Sequence, residues 1–438
     1  MTRLRRRQSF DKLRTSNDDD LYRNHAWRLD ATTKDVNRNV TATADYDYDD
    51  DHDDDLTPRW GGPMFKKVLI LSASVGAGHV RAAQAVEKAF REMHAAQELQ
   101  SIDTLTYTNR VFRHLMAQTY LDLVNSAPGI LGWLYDYMDR PWRRQRRKLA
   151  LEKLNLRRFT QMLQEQAPDI AVCTHFFPAD IISYLKAKKG LPTRQAIVVT
   201  DLDVHAMWLC QHYEHYFVAL EETRVHMEKL GIPRDKITVT GIPIDPVFAQ
   251  QKDKGRMREK HGLAADKTTI LVSAGGFGVG PIEHLVDSLL ELKHEAQVIM
   301  ICGRAAELKK RMDRRAHQVP AGHPVTMKVV GFTTEMDEFM SASDIVIGKP
   351  GGLTSSEAMA KGLVFVIVNP IPGQEERNAD HLLEEGAAIR CNNLPTLAYK
   401  VDRLLDDPQR FAAMQINAKR LGRPRAAYDI VTKLLELA

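Results

Sequence analysis

Ten short, almost unbroken apolar runs separated by helical stretches decide what this chain can fold into. KKVLILSA (66–73), DIAVCTH (169–175), QAIVVTD (195–201), HYFVAL (215–220) and KITVTGIPID (236–245) form one set. TTILVSAGGFGVG (268–280), QVIMICG (297–303), TMKVVGF (326–332), DIVIG (344–348) and VFVIVNP (364–370) form a second. A strand that is apolar on both faces has to be covered on both, as in a parallel sheet flanked by helices. The alternation predicts α/β architecture with doubly wound sheets, and such sheets bind ligands beyond the carboxyl ends of their strands. With 438 residues, 44% of them hydrophobic, the chain can bury two cores. The Gly-Pro punctuation of GIPID suits a hinge. The predicted domains are therefore 64–245 and 246–438.

The segment 1–63 is of another kind. TRLRRRQSFDKLRTSNDDD turns from basic to acidic, and DYDYDDDHDDD (45–55) holds eight Asp. So little apolar surface cannot offset chain entropy, and disorder is expected there. Met64, just before the first apolar run, stands as an alternative start. The segment carries eleven Lys/Arg and fourteen Asp/Glu, a balance of −3 against +4 for the whole chain, which leaves +7 for the rest. That excess suits an anionic membrane surface or phosphate ligands and is too mild for a nucleic-acid partner. Cys173, Cys210, Cys302 and Cys391 are isolated, with no CxxC pair and no metal spacing, so buried reduced thiols are expected. Neither a spanning helix nor a signal peptide is predicted.

The run KPGGLTSSEAMAKGLVFVIVNPIPGQEERN (349–378) carries the most chemistry. A strand ends at Gly348 and passes through Lys349, Pro350, Gly351 and Gly352 into a helix that includes Thr354. Unpaired amides at a helix start, with the positive end of its dipole, suit a diphosphate. Glycine lets the backbone approach the ligand, and Glu357, one turn in, can accept hydrogen bonds from ribose hydroxyls. Gln374, Glu375 and Asn378 can pair with sugar hydroxyls beyond the diphosphate. Upstream, the glycine-rich loop with Gly276, Phe277 and Gly278 can approach the sugar phosphate, and Arg304 follows a strand end nearby. Gly331 and Phe332 fit a nucleobase slot.

These residues resemble the donor-site signature of the monogalactosyldiacylglycerol synthases and the related bacterial diacylglycerol glucosyltransferases. More distantly they resemble the GlcNAc transferase of the peptidoglycan lipid precursor. SASVGAGH (72–79), VTDLDVHAMW (199–208), TGIPID (240–245), SAGGFGVG (273–280) and VVGFTTEM (329–336) follow in the same order, so the resemblance runs from about 66 to 385. It implies a GT-B fold, two Rossmann-like domains facing across a cleft, and inverting transfer of a hexose to diacylglycerol. The donor would be UDP-galactose or UDP-glucose, a co-substrate with no separate cofactor and no bound metal. No DxD stands at a donor-domain strand end.

SVGAGH is neither a Walker A loop nor a complete GxGxxG, which disfavours a dinucleotide site. It places His79 at a helix start and at the carboxyl end of the first strand, where imidazole stays neutral and able to accept a proton. Position and the GAGH motif together make His79 a catalytic candidate. Asp201 is the rival base or the group that orients a histidine, and His205 joins the same edge. Gly78 and Trp208 belong to the acceptor side. GILGWLYDYMDRPWRRQRRK (129–148) sets Trp133, Tyr137 and Trp142 beside Arg143, Arg144, Arg146 and Arg147, the composition of an interfacial helix on anionic lipid. The expected location is peripheral, on the cytoplasmic face of a membrane. A UDP-sugar 2-epimerase of the same fold and an inactive UDP-sugar sensor are the competing readings.

Overall fold

A computed structural model describes residues 64–108, 127–142, 157–273 and 282–438. Segment 1–63, Gly276, Phe277, Gly278, Arg143, Arg144, Arg146 and Arg147 lie outside them.

Two six-stranded sheets, parallel at every pairing, carry the fold. The first contains β1 (Phe65–Ser72), β2 (Ala96–Asp103), β3 (Ile170–Cys173), β4 (Arg194–Val198), β5 (His215–Val218) and β6 (Ile237–Val239) in the order 2-1-3-4-5-6. The second contains β7 (Thr268–Ser273), β8 (Ala296–Ile301), β9 (Val325–Val330), β10 (Ile345–Gly348), β11 (Val364–Val368) and β12 (Ala388–Cys391) in the order 12-11-10-7-8-9. Alternate residues feed opposite cores, as strands covered on both faces require. Leu69 and Leu71 enter one cluster of the first sheet and Val68 and Ile70 the other. Ile345 and Ile347 likewise part from Val346.

Ten of the twelve strands coincide with apolar runs. The other two are edges. β2 is AQELQSID, polar and largely exposed, and β12 is the four-residue AIRC. An edge strand needs an apolar inner neighbour more than an apolar sequence of its own.

Strand order reverses between β1 and β3 in the first sheet and between β7 and β10 in the second. These are the positions at which doubly wound sheets open a crevice for ligands. The turn after β1 leads into the helix Ala77–Glu92, and the turn after β10 into the helix Gly352–Ala360. One shared core joins the halves. Ala82, Leu202, Ile242 and Ile244 pack with Leu271, Val346 and Leu353. Gly241 takes φ +89°, and a Cβ there would lie 2.5 Å from Arg423 Cβ, so only glycine lets the chain leave β6 along this path.

The last helix, Ala426–Glu436, crosses back to the first sheet. Ile430, Val431 and Leu434 share a core with Val68, Ile70 and Phe90, and the Tyr428 hydroxyl donates to Glu92. Leu434→Ala should therefore destabilise the first sheet's core by about 2–5 kcal/mol, the range for truncating a fully buried leucine. A drop in urea midpoint at unchanged m-value checks this.

Candidate active site

The helix Gly352–Ala360 begins with Gly351 as its N-cap, in extended backbone and without a capping side chain. Its first amides are therefore left for a ligand. A Cβ on Gly352 would collide with the carbonyl of Thr200, so the two halves meet here backbone to backbone. Glu357, one turn on, is 1% exposed, and burial pushes its carboxyl up to about 7 against the opposing pull of Arg81. The Arg81 guanidinium, from the helix after β1, donates to Glu357 Oε1.

His79 stands at the start of the helix Ala77–Glu92, whose N-cap Gly76 likewise offers no side-chain hydrogen bond. Its Nδ1 lies 3.1 Å from the Thr174 carbonyl and 2.8 Å from Thr200 Oγ1. The carbonyl can only accept, so Nδ1 carries the proton and Nε2 keeps its lone pair, with no hydrogen-bond partner among the described residues. Burial holds the imidazole down at about 4, and the Thr174 carbonyl only partly opposes it, so His79 is neutral at pH 7. The rings of His175 and Trp208 lie 4.5 and 6.2 Å away.

Asp201 is buried at the end of β4, and burial raises its carboxyl to about 6. Both its oxygens are occupied, Oδ1 by the Gln374 amide and Oδ2 by the Trp208 indole N–H at 3.3 Å. Trp208 is only 2% exposed, so it orients Asp201 and presents no surface to a membrane. His205 also differs from expectation. Its Nδ1 accepts from the Met207 amide at 3.1 Å, and its Nε2 therefore donates to the Tyr135 carbonyl at 3.0 Å, leaving no nitrogen to take a proton. Asn378 is fully buried and spends both ends of its amide on backbone. Oδ1 accepts from Leu202 N at 3.0 Å and Nδ2 donates to Pro350 O at 3.0 Å, so it ties the halves together where sugar recognition was expected. Glu375 Oε2 accepts from the Ile371 amide at 2.7 Å.

The remaining residues take their places around this centre. Gly78 faces Leu353, 3.6 Å from where its Cβ would be, and Thr354 is half-buried in the first helical turn. Phe332 is exposed beside Gly331, with the Arg304 guanidinium 5.1 Å above its ring. Arg304 thus covers an aromatic face suited to a nucleobase. Trp133 is 64% exposed and stacks on Tyr137 at 5.3 Å in the helix Pro128–Met138. Trp142 is exposed and donates to the Leu230 carbonyl at 3.0 Å.

Sequence reading missed Arg81, Arg377 and Asp139. Arg377 Nη1 lies 2.9 Å from Asp203 and Nη2 2.7 Å from Asp139. Arg377 sits inside the run 349–378 and Arg81 two residues past SASVGAGH, but their partners come from the other half of the chain. Among the described residues one group has metal-ligand spacing, His261, Glu335 and Glu338, and it shares no residue with the cleft. Lys260 already lies 3.0 and 2.5 Å from its two carboxylates.

Two doubly wound sheets, meeting at uncapped helix starts beside a neutral histidine, have the GT-B architecture, and the family matches make the chain a glycosyltransferase of that class. A model described as monogalactosyldiacylglycerol (MGDG) synthase matches residues 79–244, and one described as glycosyl transferases group 1 matches 253–421. A processive diacylglycerol beta-glucosyltransferase of Staphylococcus saprophyticus is 30% identical over 379 residues, covering 85% of this chain and 93% of that protein. One from Bacillus pumilus is 28% identical over 372 residues, with 85% and 95% covered. The chain belongs to the processive diacylglycerol glucosyltransferase family. Among solved structures, Acinetobacter baumannii MurG superposes with TM-score 0.56 at 17% identity, covering 85% of this chain and all of that one. A UDP-GlcNAc 2-epimerase from Neisseria meningitidis gives 0.54 at 16%, over 84% of this chain and all of that one, which speaks to fold alone.

The two raised carboxyl groups make donor-free stability pH-dependent. Each binds its proton more tightly folded than unfolded, so its contribution is complete below about pH 4 and is lost as pH rises through about 6 for Asp201 and 7 for Glu357. Relative to Glu357→Gln, the parent should lose on the order of 3 kcal/mol between pH 5 and 8. Urea titrations of both proteins across that range check the sign and the slope.

Proposed function

We propose that this enzyme transfers a hexose from UDP-glucose or UDP-galactose to diacylglycerol with inversion, at a membrane surface it meets peripherally. One observation carries the mechanism. Thr200 touches both His79, through Oγ1, and Gly352, through its carbonyl, so base and diphosphate site stand on either side of one residue. His79 Nε2 takes the proton of the lipid hydroxyl, whose oxygen forms the new bond to sugar C1. The bond from C1 to the diphosphate oxygen breaks, and its electron pair leaves with UDP. The Gly351–Gly352 helix start stabilises that departing charge. Asp201, with both oxygens engaged, positions Gln374 beside the sugar, and Glu375 completes the sugar subsite. Glu357 exchanges Arg81 for ribose hydroxyls when the donor arrives. UDP-sugar is a co-substrate, and no resident cofactor or metal enters the proposal. Closure about Gly241–Pro246 excludes water that would otherwise hydrolyse the donor.

The test of the activity is incubation with radiolabelled UDP-sugars and mixed lipid vesicles. Label recovered in a glycosyl-diacylglycerol supports the reading, and release of a free epimer without lipid rejects it. His79→Ala should lower turnover by about 10²–10⁴ with UDP affinity nearly intact. At saturating donor the acid limb of the parent's pH profile should fall toward about 4, the value of His79. A limb near 6 that disappears in Asp201→Asn would transfer the role of base to Asp201.

Membrane contact is assigned to the helix Pro128–Met138 and the basic run after it. Ile130 and Trp133 are exposed on that helix, and no described helix is long and apolar enough to cross a bilayer. Apolar insertion and attraction to anionic headgroups act together, and salt weakens the second. Activity should rise with phosphatidylglycerol content and fall with ionic strength. Trp133→Ala with Ile130→Ala, or Gln at Arg143, Arg144, Arg146 and Arg147, should abolish vesicle co-sedimentation at moderate salt while UDP affinity stays unchanged. Parent-like sedimentation of both variants would place the membrane contact elsewhere.

A further inference from the structure

We propose that Arg377 is a positioning residue for the transferred hexose, and that it acts by pinning the helix Pro128–Met138 across the cleft onto the first turn of the helix Gln374–Glu384. This rests on the reading that Gln374 and Glu375 meet the donor sugar. It gives the helix that carries Trp133 a second task, as part of the wall that builds the sugar subsite.

The guanidinium of Arg377 is a fork between two elements of the other half. Nη1 lies 2.9 Å from Asp203 Oδ2, and Nη2 lies 2.7 Å from Asp139 Oδ2, at the end of the Pro128–Met138 helix. The other Asp139 oxygen accepts from the Ala206 amide at 2.8 Å, so this carboxylate is itself held in place. The guanidinium also lies 5.2 Å above the Tyr135 ring. A planar cation with two charge-assisted partners and an aromatic face is positioned in a way lysine cannot reproduce. Arg377 and Asp139 are partly buried, 30% and 19% exposed at the side chain, so solvent screens this pair less than a fully exposed one.

Packing independently places the same helix at the same turn. Gly373 takes φ +92°, and a Cβ there would fall 2.7 Å from the Tyr135 ring. A Cβ on Gly132 would fall 2.8 Å from Pro372. The helix therefore rests directly on Pro372-Gly373, the two residues that lead into Gln374. Arg377 lies one turn beyond Gln374 and locks that turn from its other end. With both anchors made, the Gln374 amide meets Asp201. Without Arg377 the Pro128–Met138 helix meets this turn through van der Waals contact at Pro372 and Gly373. The turn is then tied to the other half by Asn378 behind it, and the register of Gln374 against Asp201 loosens. The nucleotide side is held by other bonds, because Asn378, one residue on in the same helix, ties Pro350 to Leu202 through its own amide. The positioning effect is therefore confined to the sugar.

Calorimetric titration with UDP and with the UDP-hexose the enzyme accepts separates the two sides. Arg377→Met should weaken UDP-hexose binding by on the order of tenfold, the loss expected for a charge-assisted hydrogen bond. It should leave UDP affinity within about twofold and raise KM for the donor more than it lowers kcat. Arg377→Lys should recover part of the loss. Asp139→Asn should act in the same direction, and the double variant should fall short of the sum. Equal weakening of UDP and UDP-hexose, or a lowered melting temperature with an unchanged ratio of the two affinities, would reduce Arg377 to a structural ion pair and overturn the proposal. Gln374→Ala is the control for the reading beneath it. An unchanged ratio in that variant rejects the sugar subsite itself, whereas a changed ratio there with an unchanged one in Arg377→Met and Asp139→Asn rejects only the role of Arg377.

Discussion

The absence of a side chain at Gly352 is the constraint on which the rest of this site depends. Because a Cβ there would strike the Thr200 carbonyl, the helix start after β10 can lie against the strand end after β4. That single approach brings the start of a helix against Thr200, whose hydroxyl meets the neutral imidazole of His79 and whose neighbour is the buried Asp201. Asn378 then holds the approach by bonding to backbone on both sides, to Leu202 N and Pro350 O. Open parallel sheets present all their strand ends at one edge, and two such edges brought face to face leave a cleft lined by turns and helix starts.

Electrostatics explains why such a cleft is suited to an anionic donor. Helix starts at Ala77 and Gly352 lack capping side chains, and Arg81 and Lys349 add formal charge nearby. Opposed to them are carboxyl groups that burial drives toward neutrality. Glu357 rises to about 7 and Asp201 to about 6. In the proposed mechanism a diphosphate supplies the negative charge that the cleft itself withholds, and its arrival frees Arg81 from Glu357. The neutral state of His79 follows from the same physics acting on a base, since burial penalises the imidazolium.

The acceptor side is organised by a helix that belongs to neither sheet. Pro128–Met138 leaves Ile130 and Trp133 exposed, while Tyr135 and Gly132 pack against Pro372 and Gly373. The surfaces proposed to face lipid and donor are therefore opposite faces of a helix only three turns long. Transfer from a nucleotide sugar to a lipid requires the two substrates to meet at an interface, and the proposal sets both surfaces on one helix.

The sequence alone determined the architecture and the places of its glycine-bearing strand-to-helix turns. Strands buried on both faces must be apolar throughout, so ten of the twelve announce themselves, and a glycine-bearing turn between strand and helix announces a helix start without a capping side chain. β2 and β12 escaped because edge strands face solvent and need no such pattern. Only the tertiary structure decided which polar groups remain available. Asn378, His205 and Trp208 carry the residue types of a ligand site, yet each spends its hydrogen-bonding capacity on partners up to 176 positions away. Arg81 and Arg377 lie beside or inside quoted motifs, but their contacts depend on carboxylates from the opposite half. The physical reason is the same throughout. Burial pattern is a local property that a strand or helix writes into its own residues, whereas hydrogen-bond satisfaction is settled between segments that meet only when the two halves close.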